Sequence, residues 1–230
     1  MKVTLVSYTD NPLDSVCIAI AIMKEKEPFR YVLNLSIPEK ENMVKEMLKS
    51  RLIGALEFAT FEFLLEGVSR AFTHQLVRHR TFHFAQQSMR FYNASESEFR
   101  MPSVNEAHKE RIEAVVDIIK DNYKSLIAMG CPTEDARSIL PTNICTKIMF
   151  GATLRSLIDL AEVRLCHQTQ GEFQEVVKEI KKEISGVDTF LGSLLIPACT
   201  RSGRCEFKSV YDRVCPIEST LKKGDSNGGN

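Results

Sequence analysis

Apolar and polar positions alternate from Lys2 to Tyr8, a period of two that predicts a strand, and Asp10-Asn11-Pro12 closes it with a turn signal. A helical apolar stretch then runs to Met23. The charged segment Pro38 to Leu52 carries Met43, Met47 and Leu48 at helical spacing, which predicts a surface helix. The Phe-rich run from Leu56 to Leu65 partly alternates and is followed by Gly67, so it reads as a strand that stops there. Ser69 to His79 predicts a helix with Ala71, Phe72, Leu76 and Val77 on its apolar side, and Phe82 to Phe91 predicts another strand.

Residues 93–104 are polar and read as loop. From Glu106 onward, Ile112, Val115, Val116, Ile119, Tyr123, Leu126 and Ile127 recur at intervals of three and four, predicting a long amphipathic helix that ends at Gly130. Pro132-Thr133-Glu134-Asp135 looks like a fresh helix start, with Thr133 as cap and acids in the first turn. Apolar stretches at Ile144 to Ala152 and Leu154 to Leu165, then a charged helix from Gln174 to Ile184, complete the body. With no internal repeat and no dividing linker, residues 1–221 are expected to form a single domain. Lys222 to Asn230, rich in Gly, Ser and Asn, is expected to be a disordered tail.

Composition narrows the class. In 230 residues, 43% are apolar and 26% charged, enough to build a sizeable core and far from the signature of disorder. Thirty basic residues balance thirty acidic ones. A neutral chain cannot hold a polyanion by bulk electrostatics, so a nucleic-acid coat protein is disfavoured. No apolar run is long enough for a membrane helix, and the N-terminus lacks the apolar core of a signal peptide, so a cytoplasmic protein is expected. The seven cysteines are an odd number with no CxxC pair, and their one cluster, Cys199-x5-Cys205-x9-Cys215, lacks a nearby His. Small thiols in a reducing compartment are therefore expected, with no metal.

Charge is not spread evenly. From Gly67 to Ser95 there is no Asp or Glu, yet the stretch holds Arg70, Arg78, Arg80 and Arg90 with His74, His79 and His83. Arginine offers a planar fork that suits phosphate oxygens, and the amides of Gln75, Gln86 and Gln87 suit the edge of a planar heterocycle. If a strand carries Gln86, Ser88 and Arg90, these three share one face. The set fits a phosphorylated heterocycle. Arg78-His79-Arg80 at a helix end would also simply complement the helix dipole. The chain has neither GxGxxG nor GxxxxGK[ST], so a nucleotide here is not held by a Rossmann or Walker loop. The window contains no Cys to serve as a nucleophile.

Arg78-His79-Arg80, seven residues, then Ser88 and Arg90 is a pattern that resembles the flavin-dependent thymidylate synthases, also called thymidylate synthase-complementing proteins. Lys2-Val3-Thr4-Leu5 with Tyr8-Thr9-Asp10-Asn11-Pro12 resembles the opening strand and turn of that family, and Glu66-Gly67-Val68-Ser69-Arg70 with His74-Gln75-Leu76-Val77 resembles the helix before its motif. Ala136-Arg137, Leu140-Pro141, Arg155, Arg164, Gln170 and Glu172 are similar to its C-terminal half.

The resemblance implies an α/β (α+β) fold with a mixed sheet and long helices, assembled as a homotetramer with active sites at subunit interfaces. It also implies reductive methylation of dUMP to dTMP, with FAD as cofactor and NADPH and methylenetetrahydrofolate as co-substrates. By the same resemblance Arg78, His79, Arg80, Gln86, Arg164 and Gln168 would contact FAD. Gln75, Arg78, Gln87, Ser88, Arg90 and Lys147 would hold the nucleotide, and Arg78, Ser88 and Gln174 stand at catalytic positions. Such an enzyme needs no cysteine adduct if protein charge polarises the uracil while the cofactor supplies the redox chemistry, so Ser88 is assigned to binding the nucleotide.

The chain departs from the family pattern at several positions. Gly-His-x-Ser-x-Leu-Glu-His reads here Arg51-Leu52-Ile53-Gly54-Ala55-Leu56-Glu57-Phe58, which puts Gly54 where a serine hydroxyl commonly reaches the flavin. Ala-Gln-Trp-Glu-Ile-Arg reads Thr169 to Gln174, so a neutral Gln174 replaces the arginine that helps stabilise the ionised uracil. Phe91 replaces a common Tyr. Alternatives are therefore a homologue with a changed pyrimidine nucleotide, or a non-catalytic subunit that binds flavin or nucleotide.

Overall fold

The computed structural model describes residues 1–50, 53–205 and 215. Four strands, β1 (Lys2–Tyr8), β2 (Thr60–Ser69), β3 (His83–Gln86) and β4 (Cys145–Thr153), form a sheet in the order β1-β2-β4-β3. Helices α1 (Pro12–Ala21), α2 (Pro28–Leu33) and α3 (Ile37–Ser50) precede β2, and α4 (Arg70–Leu76) follows it directly. Beyond β3 come α5 (Glu106–Ala128) and α6 (Thr133–Ala136). After β4 come α7 (Leu154–Arg164), α8 (Gly171–Val187), α9 (Thr189–Ser193) and α10 (Ala198–Ser202). The α+β class is as expected, and the sheet, expected to be mixed, is antiparallel. No described helix is long and apolar enough to cross a membrane.

The chain packs as two compact units. The first, residues 1–4 and 63–151, is built around stacked rings: Phe63 lies 5.3 Å from Phe150, which lies 5.4 Å from Phe82. A second cluster in this unit gathers Met89, Ala94, Tyr123, Ala136 and Ile144, and the Tyr123 hydroxyl accepts a hydrogen bond from the Ala94 amide at 3.1 Å. That bond matters because a phenol buried without a partner would be destabilising. The second unit, residues 5–62 and 152–230, gathers α1 to α3 and α7 to α10. An apolar stripe runs along α8, where Phe173, Val176, Val177, Ile180 and Ile184 recur at helical spacing and are all buried.

Several expected boundaries shift. Ile53–Phe58 is a 3-10 turn rather than the beginning of a strand, and β2 starts only at Thr60. The strand also runs through Gly67 instead of stopping there. Gly67 sits at φ +68, and a Cβ there would meet the Met1 backbone at 3.4 Å, so glycine lets the strand bend past the N-terminus. The strand expected over Phe82 to Phe91 is only four residues long. β3 pairs antiparallel with β4 from His83↔Gly151 to Gln86↔Ile148, and then the Ser88 carbonyl accepts from the Phe91 and Tyr92 amides, turning the chain. Thr133 is not the cap of α6: Pro132 occupies that position, and the Thr133 hydroxyl instead donates to the Arg90 carbonyl. Arg51, Leu52 and the expected tail from Lys222 lie outside the described residues.

Candidate functional site

Helix α4 begins where Ser69 Oγ accepts from the Phe72 amide at 3.0 Å, and the Arg70 and Ala71 amides donate to the Ile144 and Thr142 carbonyls. Its buried side is Phe72, Thr73 and Leu76. At its C-terminus the bonds tighten, with the Arg78 amide donating to Gln75 and the His79 amide to Leu76. Charge therefore collects where the helix carbonyls concentrate partial negative charge. His79 is half-buried and stacks on Phe82 at 5.3 Å, whereas Arg78 and Arg80 on either side are exposed. Among the described residues neither guanidinium has an ion pair or a side-chain hydrogen bond. Two exposed arginines without acidic partners among the described residues offer the planar forks that suit an anion.

The remaining expected residues of this unit are engaged to different degrees. Gln86 Nε2 donates to Thr73 Oγ1 at 2.9 Å, so its amide nitrogen is committed to the helix. The Gln87 amide donates to the Lys147 carbonyl at 3.0 Å, which sets the residue at the end of the ladder. Ser88 is exposed, and its Oγ accepts from the Arg90 amide at 3.3 Å. The expected common strand face of Gln86, Ser88 and Arg90 is not formed, because β3 ends at Gln86 and the other two sit in a turn. Arg90 pairs with Glu134 at 2.8 Å and lies over the Phe91 ring, and Lys147 pairs with Glu66 at 3.1 Å. Gln75 is half-buried on α4.

Two further arginines belong to this constellation. Arg70, whose guanidinium donates to the Gln87 carbonyl at 3.3 Å, has its pKa lowered first by burial and then by the nearby positive charge of Arg137. Like charges brought together in a partly buried place are eased by a bound anion. Arg70 stood in the acid-free window, but nothing in the spacing pairs it with a residue in the turn after α6.

The other expected residues lie in the second unit. The Arg164 guanidinium covers the Phe173 ring at 4.4 Å. Gln168 is half-buried in the turn after α7. Gln174 Nε2 donates to the carbonyls of Leu165 (3.2 Å) and Cys166 (3.1 Å), and its oxygen accepts from Lys178 Nζ at 3.0 Å. Its amide thus ties α8 to the end of α7. Among the described residues, no three His, Cys, Asp or Glu side chains converge closely enough to hold a metal ion.

The sequence matches the model of a family described as thymidylate synthase complementing protein over residues 4–188. Among its relatives, a flavin-dependent thymidylate synthase of Pyrococcus furiosus is 33% identical, over 97% of this chain and 96% of that protein. One of Geobacter sulfurreducens is 30% identical over 89% and 90% of the two chains, and one of Sulfurisphaera tokodaii 30% identical over 86% and 79%.

Proposed function

Since the chain belongs to the thymidylate synthase complementing protein family, we propose that it carries out the flavin-dependent reductive methylation of dUMP to dTMP, drawing the carbon from methylenetetrahydrofolate and the electrons from NADPH. The observation that carries this reading is the exposed Arg78 and Arg80 pair at the end of α4, without acidic partners among the described residues, in the unit that also holds Arg70, Arg137, Gln87 and Ser88.

The donor set suits FAD. Its phosphates would take Arg78 and Arg80, and its ring would find aromatic and amide partners in His79 and Gln86, with Arg164 and Gln168 contributing as family positions. When bound, this cofactor supplies the two-electron chemistry that no amino-acid side chain provides. Gln75, Gln87 and Ser88 hold the nucleotide by neutral hydrogen bonds, and Arg78, Arg90 and Lys147 take its charge. Arg90 and Lys147 exchange Glu134 and Glu66 for phosphate readily, because exposed ion pairs contribute only about 0–1 kcal/mol. The neutral Gln174 orients rather than charges its surroundings, and Lys178 is the cation bonded to it. Assembly as a homotetramer, with active sites completed between subunits, is part of the same reading.

Two experiments test it. The purified protein is expected to be yellow or to take up FAD, to oxidise NADPH, and to release tritium from dUMP labelled at C5. A colourless protein that takes up no FAD defeats the reading. A non-catalytic homologue is the second reading, favoured by the commitment of the Gln174 amide to two carbonyls. A yellow protein that consumes NADPH without releasing tritium supports that second reading or a different pyrimidine. Arg78→Ala is expected to lose both FAD and nucleotide binding by isothermal titration, and wild-type affinity in this variant would remove the site assignment.

A further inference from the structure

One buried hydroxyl of the first unit has no part in the proposed reaction. Among the described residues, the buried polar side chains are Ser69, Thr73, Thr146 and Ser156. Ser69 Oγ accepts from the Phe72 amide, Thr73 Oγ1 donates to the Arg70 carbonyl at 3.1 Å, and Ser156 Oγ lies 3.1 Å from Thr153 Oγ1. Of these four hydroxyls only that of Thr146 has no hydrogen-bond partner, although the residue is 2% exposed. A hydroxyl buried in this way is destabilising, and a valine of the same shape is not.

The sheet shows which group can reach it. Thr146 alternates with Ile148 and Phe150 on β4, so the three share one face. There β2 brings Phe63 against Phe150, and α4 brings Thr73, which accepts from Gln86 Nε2. Because β3 pairs Gln86 with Ile148, Gln86 is the diagonal neighbour of Thr146. Diagonal neighbours on one face are about 7–8 Å apart, within reach of a long side chain. Carried two residues further, the same register sets Ser88 level with Thr146, and the bond from the Gln87 amide to the Lys147 carbonyl already follows it. Thr146 therefore stands at the end of the ladder where the Ser88 turn begins.

We propose that Thr146 is a positioning residue: when FAD binds, its hydroxyl accepts Gln86 Nε2 in place of Thr73 Oγ1 and draws the amide from α4 toward the Ser88 turn. Gln86 is a FAD contact in the reading above, on which this rests. The exchange loses no hydrogen bond, because Thr73 keeps its bond to the Arg70 carbonyl and Thr146 gains the partner it lacks. A ligand needs few contacts to tip one amide between two arrangements so closely balanced.

Urea denaturation and flavin-fluorescence titration of the full-length protein test the role together. Without FAD, Thr146→Val is expected to raise the urea midpoint by about 0.5 M, since it removes an unpaired buried hydroxyl. The same variant is expected to bind FAD about tenfold more weakly, because the loaded state loses a hydrogen bond. Thr146→Ser, which keeps the hydroxyl, should restore wild-type affinity. In a Gln86→Ala background, Thr146→Val should weaken FAD binding no further, as expected of a group that acts through Gln86. A lowered midpoint in Thr146→Val marks a merely structural role and overturns the proposal, as does wild-type affinity in that variant or a full additional loss in the Gln86→Ala background. A wild type that takes up no FAD defeats the proposed reaction itself, whereas equal binding by wild type and Thr146→Val defeats only the role of Thr146.

Discussion

Cys17 is fully buried on α1, its sulfur 3.5 Å from the Lys40 carbonyl, and burial followed by the nearby Asp14 charge pushes its thiol up to about 11. The unfolded thiol ionises near 9.0, so between the two values the native state holds a proton that the unfolded chain has released. Stability from this group is therefore complete below about pH 9 and declines as pH rises toward 11. Urea midpoints measured across that range should fall in the wild type and fall less in Cys17→Ala. Gly54 is a different kind of single-residue question. Nothing lies within 4 Å of where its Cβ would stand, so Gly54→Ser fits without displacement. Stability should change by no more than about 0.5 kcal/mol. If the missing hydroxyl weakens the cofactor site, FAD fluorescence titration should show tighter binding in this variant. At this scale the sequence was legible in its residue types, and Arg78, Arg80 and Ser88 are exposed. The Arg70 and Arg137 repulsion was not legible, because it depends on two segments far apart in the chain.

Helix α4 is only seven residues long, and its start rests on the Ser69 cap and two amide bonds to residues 142 and 144. So short a helix has little intrinsic stability, and its position comes from these anchors and from its buried side. Ser69→Ala should cost about 1 kcal/mol in urea denaturation. Because the same helix presents Arg78 and Arg80, nucleotide affinity in that variant should fall as well. Long elements were readable in advance: α5 followed its apolar spacing closely, and α8 extends three residues beyond the expected charged helix at each end. The short ones were not. β3 ends after Gln86 although its sequence continues in strand-like fashion, because the turn at Ser88 leaves the ladder with β4. Helices α2, α9 and α10 are too brief for periodicity to register.

At the scale of the molecule, α1 to α3 and the segments between them expose a group of large apolar side chains, Ile22, Met23, Phe29, Leu33 and Ile37. Scattered apolar residues are normal on surfaces, but this concentration suits an interface. The homotetramer we propose would cover it, and sedimentation equilibrium should give four times the 26.0 kDa chain mass. Phe29→Glu should lower that assembly state; a wild-type monomer would remove the tetramer from the reading. The sequence by itself determined the long helices and the acid-free window, because each is written in contiguous residues whose spacing carries the physics, and it carried the family motif, whose resemblance implied the α+β class. Tertiary structure alone decided the rest. It set Arg137 near Arg70, matched Glu134 to Arg90 and Glu66 to Lys147, committed Gln174 to two carbonyls, and brought Cys166 to the cavity of the C-terminal cysteines. Most of those contacts join positions far apart in the chain, and whether such groups meet depends on packing and loop closure that no local period encodes.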